Sequence, residues 1–103
     1  MANSQIYFWD KRPTGKAALV ANILTVLSQN TGNFLTSHEI RRRMSQAAIA
    51  ILNTALAGYQ NSGFAEPSSH VGSLCAELSQ QSQIIRGTKL CPVNHRVDAA
   101  FRV

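Results

Sequence analysis

Arg41-Arg42-Arg43 is the densest positive cluster in the 103-residue chain, and its natural chemistry is contact with phosphate. Consecutive helical residues point about 100° apart, so the three cannot share one flat patch. One or two of them can reach a nucleic-acid backbone, which adds affinity without reading sequence. A solvated helix face is the competing reading. Metal chemistry has less to work with. Cys91 and His95 have a zinc-ligand spacing, with Cys75 and His70 as further donors, but no Cys-x-x-Cys pair is present. Cys75 also falls on an apolar helical stripe, which suits a small core residue. No bound metal or cofactor is expected. Catalysis has less still: Asp10, Glu39, Glu66, Glu77 and Asp98 are scattered. No Gly-rich phosphate loop, nucleophile elbow or zincin helix occurs. His38 sits in a capping segment and reads as exposed. The expectation is a non-enzyme.

Composition narrows the class. A chain of this length is one domain with room for a core that needs neither disulfide nor metal. Its 45% apolar content argues against disorder. No apolar run approaches the roughly 20 residues of a membrane span. The start, Met1-Ala2-Asn3-Ser4, lacks a signal-peptide pattern, so a cytoplasmic protein is expected. Two cysteines are too few for a disulfide framework. The formal charge of +5 favours an anionic partner, nucleic acid first. The cations flank the chain, however. Residues 45 to 85 contain no Lys or Arg, only Glu66 and Glu77.

Local patterns give the elements that must position these groups. Residues 1–15 read as an arm or edge strand around Ile6-Tyr7-Phe8-Trp9, broken by Asp10-Lys11-Arg12-Pro13. Lys11, Arg12 and Lys16 flank Pro13 and suit either a minor-groove arm or a solubilising terminus. Thr14 can cap a helix over 15–29, with Leu19, Ile23, Val26 and Leu27 as its buried stripe. Asn30-Thr31-Gly32-Asn33 stops it. Thr36-Ser37-His38-Glu39 is a capping box, with Leu35 and Ile40 in the positions of a hydrophobic staple. A short helix therefore starts at Ser37, with Ile40 and Met44 inward. Residues 45–59 are alanine-rich and apolar on most sides, which predicts a helix buried in the domain or in a partner.

The later stretch carries the most information. Val71, Leu74, Cys75 and Leu78 lie at i, i+3, i+4 and i+7, one buried helix face. Ser69, Ser73, Ala76 and Gln80 lie opposite, short or uncharged, so another surface can come close. Gln83-Ile84-Ile85-Arg86 follows as a β-prone run. Val97, Ala99, Phe101 and Val103 alternate along a second strand. Gly87-Thr88-Lys89 and Pro92-Val93-Asn94-His95 punctuate the hairpin between them.

A helix running into a strand and loop in this way resembles the recognition helix and wing of winged helix-turn-helix domains. The usual run there is apolar, two spaces, Leu, three spaces, Leu, three spaces, Gly, one space, Ile, one space, Arg. Val71, Leu74, Leu78, Ile84 and Arg86 match it, and Ser82 stands in place of the Gly. Leu35-Thr36-Ser37-His38-Glu39-Ile40 looks like the opening of the second helix of such domains. The resemblance covers residues 16–103 and implies a mainly α fold with a small β-hairpin, winged-helix-like, with an additional Ala-rich helix. That helix is either an insertion or itself the third helix. The hairpin directly after the later helix favours the insertion.

By the same resemblance the domain is a transcriptional regulator that binds double-stranded DNA. Ser69, His70, Ser73 and Gln80 become the contacts of the major-groove helix, able to bond base edges or phosphates. Arg86 and Lys89 lie on or beside the wing, near the phosphate backbone, and Arg41, Arg42 and Arg43 reach backbone from the second helix. A homodimer is plausible if the Ala-rich helix has surplus apolar surface. The alternative is a small module that binds a protein target through the same scaffold, an inhibitor or adaptor of phage type. The empty charge window from 45 to 85 favours it, and fold analogy alone does not decide.

Overall fold

The computed structural model describes residues 13–56 and 67–103. The expectations for Ile6 to Trp9, Lys11 and Arg12, and for the turn from Gln60 to Phe64, lie outside the described residues. The fold is mainly helical with a small antiparallel sheet. No described helix is long and apolar enough to cross a membrane.

Helix α1 spans Pro13–Gln29. It begins at Pro13, a residue suited to a first helical position, so Thr14 lies inside the helix and is not its cap. Leu19, Ile23, Val26 and Leu27 are buried, as their spacing predicts. The end is closed by Asn30, whose side chain donates to the Val26 carbonyl oxygen (2.8 Å), and by Gly32 in left-handed backbone at φ 84.

Strand β1, Leu35–Thr36, leads directly into helix α2, Ser37–Arg43. Both bonds of the capping box are present. The Glu39 N–H donates to Thr36 Oγ1, and the Thr36 N–H donates to Glu39 Oε1. Leu35, Ile40 and Met44 are buried in one core. Extended backbone at Met44 ends α2, and Ser45 starts the next helix: its hydroxyl accepts from the Ala48 N–H (3.1 Å). Asn22 on α1 steadies that corner by accepting from the Ser45 N–H (3.0 Å).

Helix α3, Gln46–Leu56, differs from expectation. It is one-sided, not buried all round. Ala48 and Leu52 enter the core and Ile49 and Ile51 pack at its edge, while Ala47 and Ala50 are exposed. Alanine is the best helix former and loses little when left in water, so an alanine-rich run does not demand a partner on every side. Among the described side chains of α3, apolar surface is left at Ala47 and Ala50 and, in part, at Ile49 and Ile51.

Helix α4, Pro67–Gln80, buries Val71, Leu74, Cys75 and Leu78. It packs chiefly against α2, while α3 packs chiefly against α1. Its end forms a Schellman turn: the Gln83 N–H reaches the Leu78 carbonyl oxygen and the Ser82 N–H that of Ser79. The turn needs left-handed backbone at Ser82, which sits at φ 61. That is the position where the winged-helix run carries Gly.

Strands β2, Ile85–Leu90, and β3, Val97–Arg102, form the hairpin. The sheet has three strands in the order β1-β3-β2, one more than the hairpin alone, because Leu35 and Thr36 pair with Phe101 and Ala100. Gly87, Thr88 and Lys89 are strand, paired with Ala100, Ala99 and Asp98; they do not punctuate the hairpin. The turn is Pro92 to His95 alone, closed by the Cys91 N–H on the Arg96 carbonyl oxygen (2.7 Å). Val97, Ala99 and Phe101 share one face, as the alternation predicts; Phe101 is buried and Ala99 and Val103 pack on the core, while Val97 at the outer end is 69% exposed. The opposite face of the hairpin explains this: Lys89 and Cys91 are tied back to the α2 cap, which turns the outer end of the Val97 face to solvent.

Candidate nucleic-acid interface

A cleft of about 380 Å³ opens between three elements. The start of α2 supplies Ser37 and His38, α4 supplies Gly72, Ser73 and Ala76, and the hairpin supplies Arg86, Asp98, Ala99 and Phe101. Gly72 sits at its base, where a Cβ would make ordinary van der Waals contact with Ser37 Cβ at 3.5 Å. Ser73 and Arg86, more than ten residues apart in sequence, meet at this cleft. The register places Arg86 opposite Phe101, so its guanidinium lies on the sheet face that covers the core, at the margin of α4.

The three arginines do not act as a block. All are exposed at the end of α2. Residues four apart share a helix face, so Arg41 follows Ser37 and Arg42 follows His38; Ser37 and His38 line the cleft, and the two arginines lie one turn beyond them. Arg43 follows Glu39 instead and lines a second cleft of about 390 Å³ with Asn30, Phe34 and Lys89. Its Nη1 donates to the Glu39 carbonyl oxygen (3.2 Å).

Gln80 is exposed at the far end of α4, outside the cleft lining. Ser69 belongs to α4, with its side chain outside the described residues. One expected contact is corrected. His70 is 2% exposed: it faces inward beside Val71 and Leu74 and is no surface contact. The run Ser69-His70-Val71 spans about 200° of helix, and the buried arc is wide enough to include its middle residue. Lys89 is tied to the fold at one end: its ammonium donates to the Phe34 carbonyl oxygen (3.1 Å) and to Glu39 Oε2 (3.2 Å), with about a third of its side chain exposed.

Glu39 is the electrostatic centre of that second cleft. Burial pushes its carboxyl up. The Thr36 N–H, the Lys89 ammonium and the Thr36 hydroxyl favour the charged form, and together they hold it below its ordinary 4.5. Thr36 Oγ1 also lies 3.1 Å from Cys91 Sγ, which brings the hairpin onto the same cap. Cys91 is therefore a buried packing thiol, while His95 is exposed in left-handed backbone at φ 58. Burial pushes the Cys75 thiol up to about 12. Among the described residues, no group of three or more His, Cys, Asp or Glu gathers where a metal could bind.

Sequence reasoning missed Ser37, His38 and Asp98 as cleft residues. The first two had a signal: Ser37 and His38 sit one turn ahead of Arg41 and Arg42. Asp98 had none, because only strand pairing brings it there; its carboxylate accepts from Asn94 Nδ2 (3.0 Å). No protein-family model matches the chain, no curated protein matches it, and no solved structure matches it.

Proposed function

We propose that the domain is a DNA-binding transcriptional regulator of winged-helix type, with α4 in the major groove and the hairpin as its wing. One observation carries the reading: the small polar face of α4 opens onto a cleft rimmed by Arg86 and continued by the exposed end of α2. Ser73 and Gln80 would bond base edges, while Arg41, Arg42 and Arg86 would meet phosphates on either side. The left-handed backbone at Ser82, where the resembling pattern carries Gly, and the packing of α4 on α2 are two further supports. The α3 helix fits the reading as an insertion, since it lies against α1 and away from the cleft.

The test is binding to random duplex DNA across a salt series. Affinity should fall linearly in log–log form, with a slope of about 0.9 per neutralised phosphate. Flat or absent binding at low ionic strength sinks the regulator reading. A protein-binding module would then take its place. The feature that favours this second reading is α4 itself, which carries no Lys or Arg.

A further inference from the structure

The second cleft, of about 390 Å³, belongs to the other side of the hairpin. Side chains alternate along a strand, so Lys89 and Arg86 point to opposite faces of β2. The two clefts share no residue. Asn30, Asn33 and Phe34 between α1 and β1, Glu39 and Arg43 of α2, and Lys89 of β2 line the second one. Its cations are held in place. Lys89 Nζ is fixed by the Phe34 carbonyl oxygen and the Glu39 carboxylate. Arg43 Nη1 donates to the Glu39 carbonyl oxygen, its one bond among the described residues. A guanidinium has five N–H donors, so four of those on Arg43 are left for a ligand. Glu39 turns inward, with 8% of its side chain exposed and its oxygens on Thr36 and Lys89. Asn30 donates to the Val26 carbonyl oxygen and keeps Oδ1 as an acceptor, while Asn33 is exposed.

We propose that this cleft binds a small monocarboxylic acid, its carboxylate on the Arg43 fork beside Lys89 and its organic body against Phe34 and the two asparagines. The site goes beyond the DNA-binding reading and does not depend on it. Three arguments support it. Geometry is the first. A guanidinium offers parallel N–H donors that match the two oxygens of a carboxylate, and it gives up water more readily than an ammonium does. Charge is the second. Two cations stand against one carboxylate at the cleft, a surplus of one positive charge. That balance suits a monoanion, and the Glu39 carboxylate repels a second negative charge brought in with the ligand. Composition is the third. The volume falls within the roughly 300–1,000 Å³ of small-molecule sites, which pair an apolar wall with a few placed polar groups. Phe34 supplies the wall, and Asn30 and Asn33 supply an acceptor and a further amide for a hydroxyl or amino group on the acid. A bound acid bridges the end of α2 to β2, so occupancy stabilises the folded chain.

The test titrates the full chain, labelled with nitrogen-15 and free of DNA, with sodium lactate at constant ionic strength. The amide resonances of Asn33, Phe34, Arg43 and Lys89 should move along one saturable curve, while those of Ser73 and Arg86 on the other cleft stay in place. Arg43→Lys keeps the charge and loses the fork, and should bind lactate about tenfold more weakly, the loss expected of one charge-assisted hydrogen bond. Asn33→Ala, at an exposed position, is the second variant and should also weaken lactate binding. Inorganic phosphate, titrated at mildly alkaline pH where it is a dianion, should bind more weakly than lactate. Shifts that never saturate, or that spread evenly over the surface, overturn the site. So does lactate affinity unchanged in both variants. Phosphate binding tighter than lactate overturns the monocarboxylate assignment. The DNA-binding reading is tested separately by the salt series, so either can fail while the other stands.

Discussion

Lys89 Nζ lies 3.1 Å from one Glu39 carboxylate oxygen and 3.2 Å from the other, joining strand β2 to the capping box of α2 across fifty residues of chain. The same carboxylate closes the box on the Thr36 N–H. One side chain therefore fixes the start of α2 and the position of the hairpin.

This pair sets an acid limit on stability. The Glu39 carboxyl is held below its ordinary 4.5 in the folded state, so the unfolded chain takes up its proton first as pH falls. Its contribution is complete above 4.5 and is lost as pH drops through the lower folded value. Melting temperatures measured on acidification should fall for wild type in that window and fall less for Glu39→Gln. Parallel curves for the two proteins would refute the assignment.

Thr36→Ala removes the N-cap of α2, which should cost about 1 kcal/mol. The substitution also removes the hydroxyl beside Cys91 Sγ. A denaturant midpoint equal to that of wild type would count against both roles.

Ser82→Gly should stabilise the protein. A non-glycine residue in left-handed backbone costs roughly 1–2 kcal/mol, and the extra freedom glycine brings to the unfolded chain returns about 0.4–1 of it. A net gain of roughly 0.5–1 kcal/mol should show in urea unfolding, and a loss would mean that the Schellman turn is misassigned.

Gly87→Ala should destabilise. Its Cβ would stand 2.8 Å from Phe34 Cε1, and the ring cannot swing away freely because the Arg102 guanidinium covers it, 5.3 Å from the centroid. Overpacking of this kind costs about 1–3 kcal/mol. Adding Phe34→Ala to Gly87→Ala should cost less than Phe34→Ala alone predicts, a coupling that a double-mutant cycle measures. Strict additivity would show that the two residues do not touch.

Replacing Arg41, Arg42 and Arg43 with Ala should weaken DNA binding for all sequences alike and flatten the salt slope by about 0.9 for each phosphate no longer neutralised. Ser73→Ala and Gln80→Ala should change sequence preference and leave the slope nearly constant. Counterion release follows charge, whereas base discrimination follows hydrogen-bond geometry. The same change in slope for both sets would break the division of roles.

Much of the helical framework was legible in the sequence because its causes are local. The capping box at Thr36 and Glu39 acts over three residues, and the stripe of Val71, Leu74, Cys75 and Leu78 over two turns. The turn at Ser82 was marked by the pattern's Gly, though not by Ser itself. Strand β1 was not legible: two residues carry no period, and Leu35 and Thr36 become strand only because Phe101 and Ala100 arrive beside them. The burial of His70, the exposure of Val97 and the pairing of Lys89 share that reason. Each is decided by which distant element covers the residue, and Lys89 meets Phe34 and Glu39 at separations of 55 and 50 residues. Sequence set where helices begin and which side they bury, through contacts within a few residues. Tertiary structure decided which cations stay exposed and which apolar side chains face solvent, because charge neutralisation and burial depend on neighbours that only folding brings together.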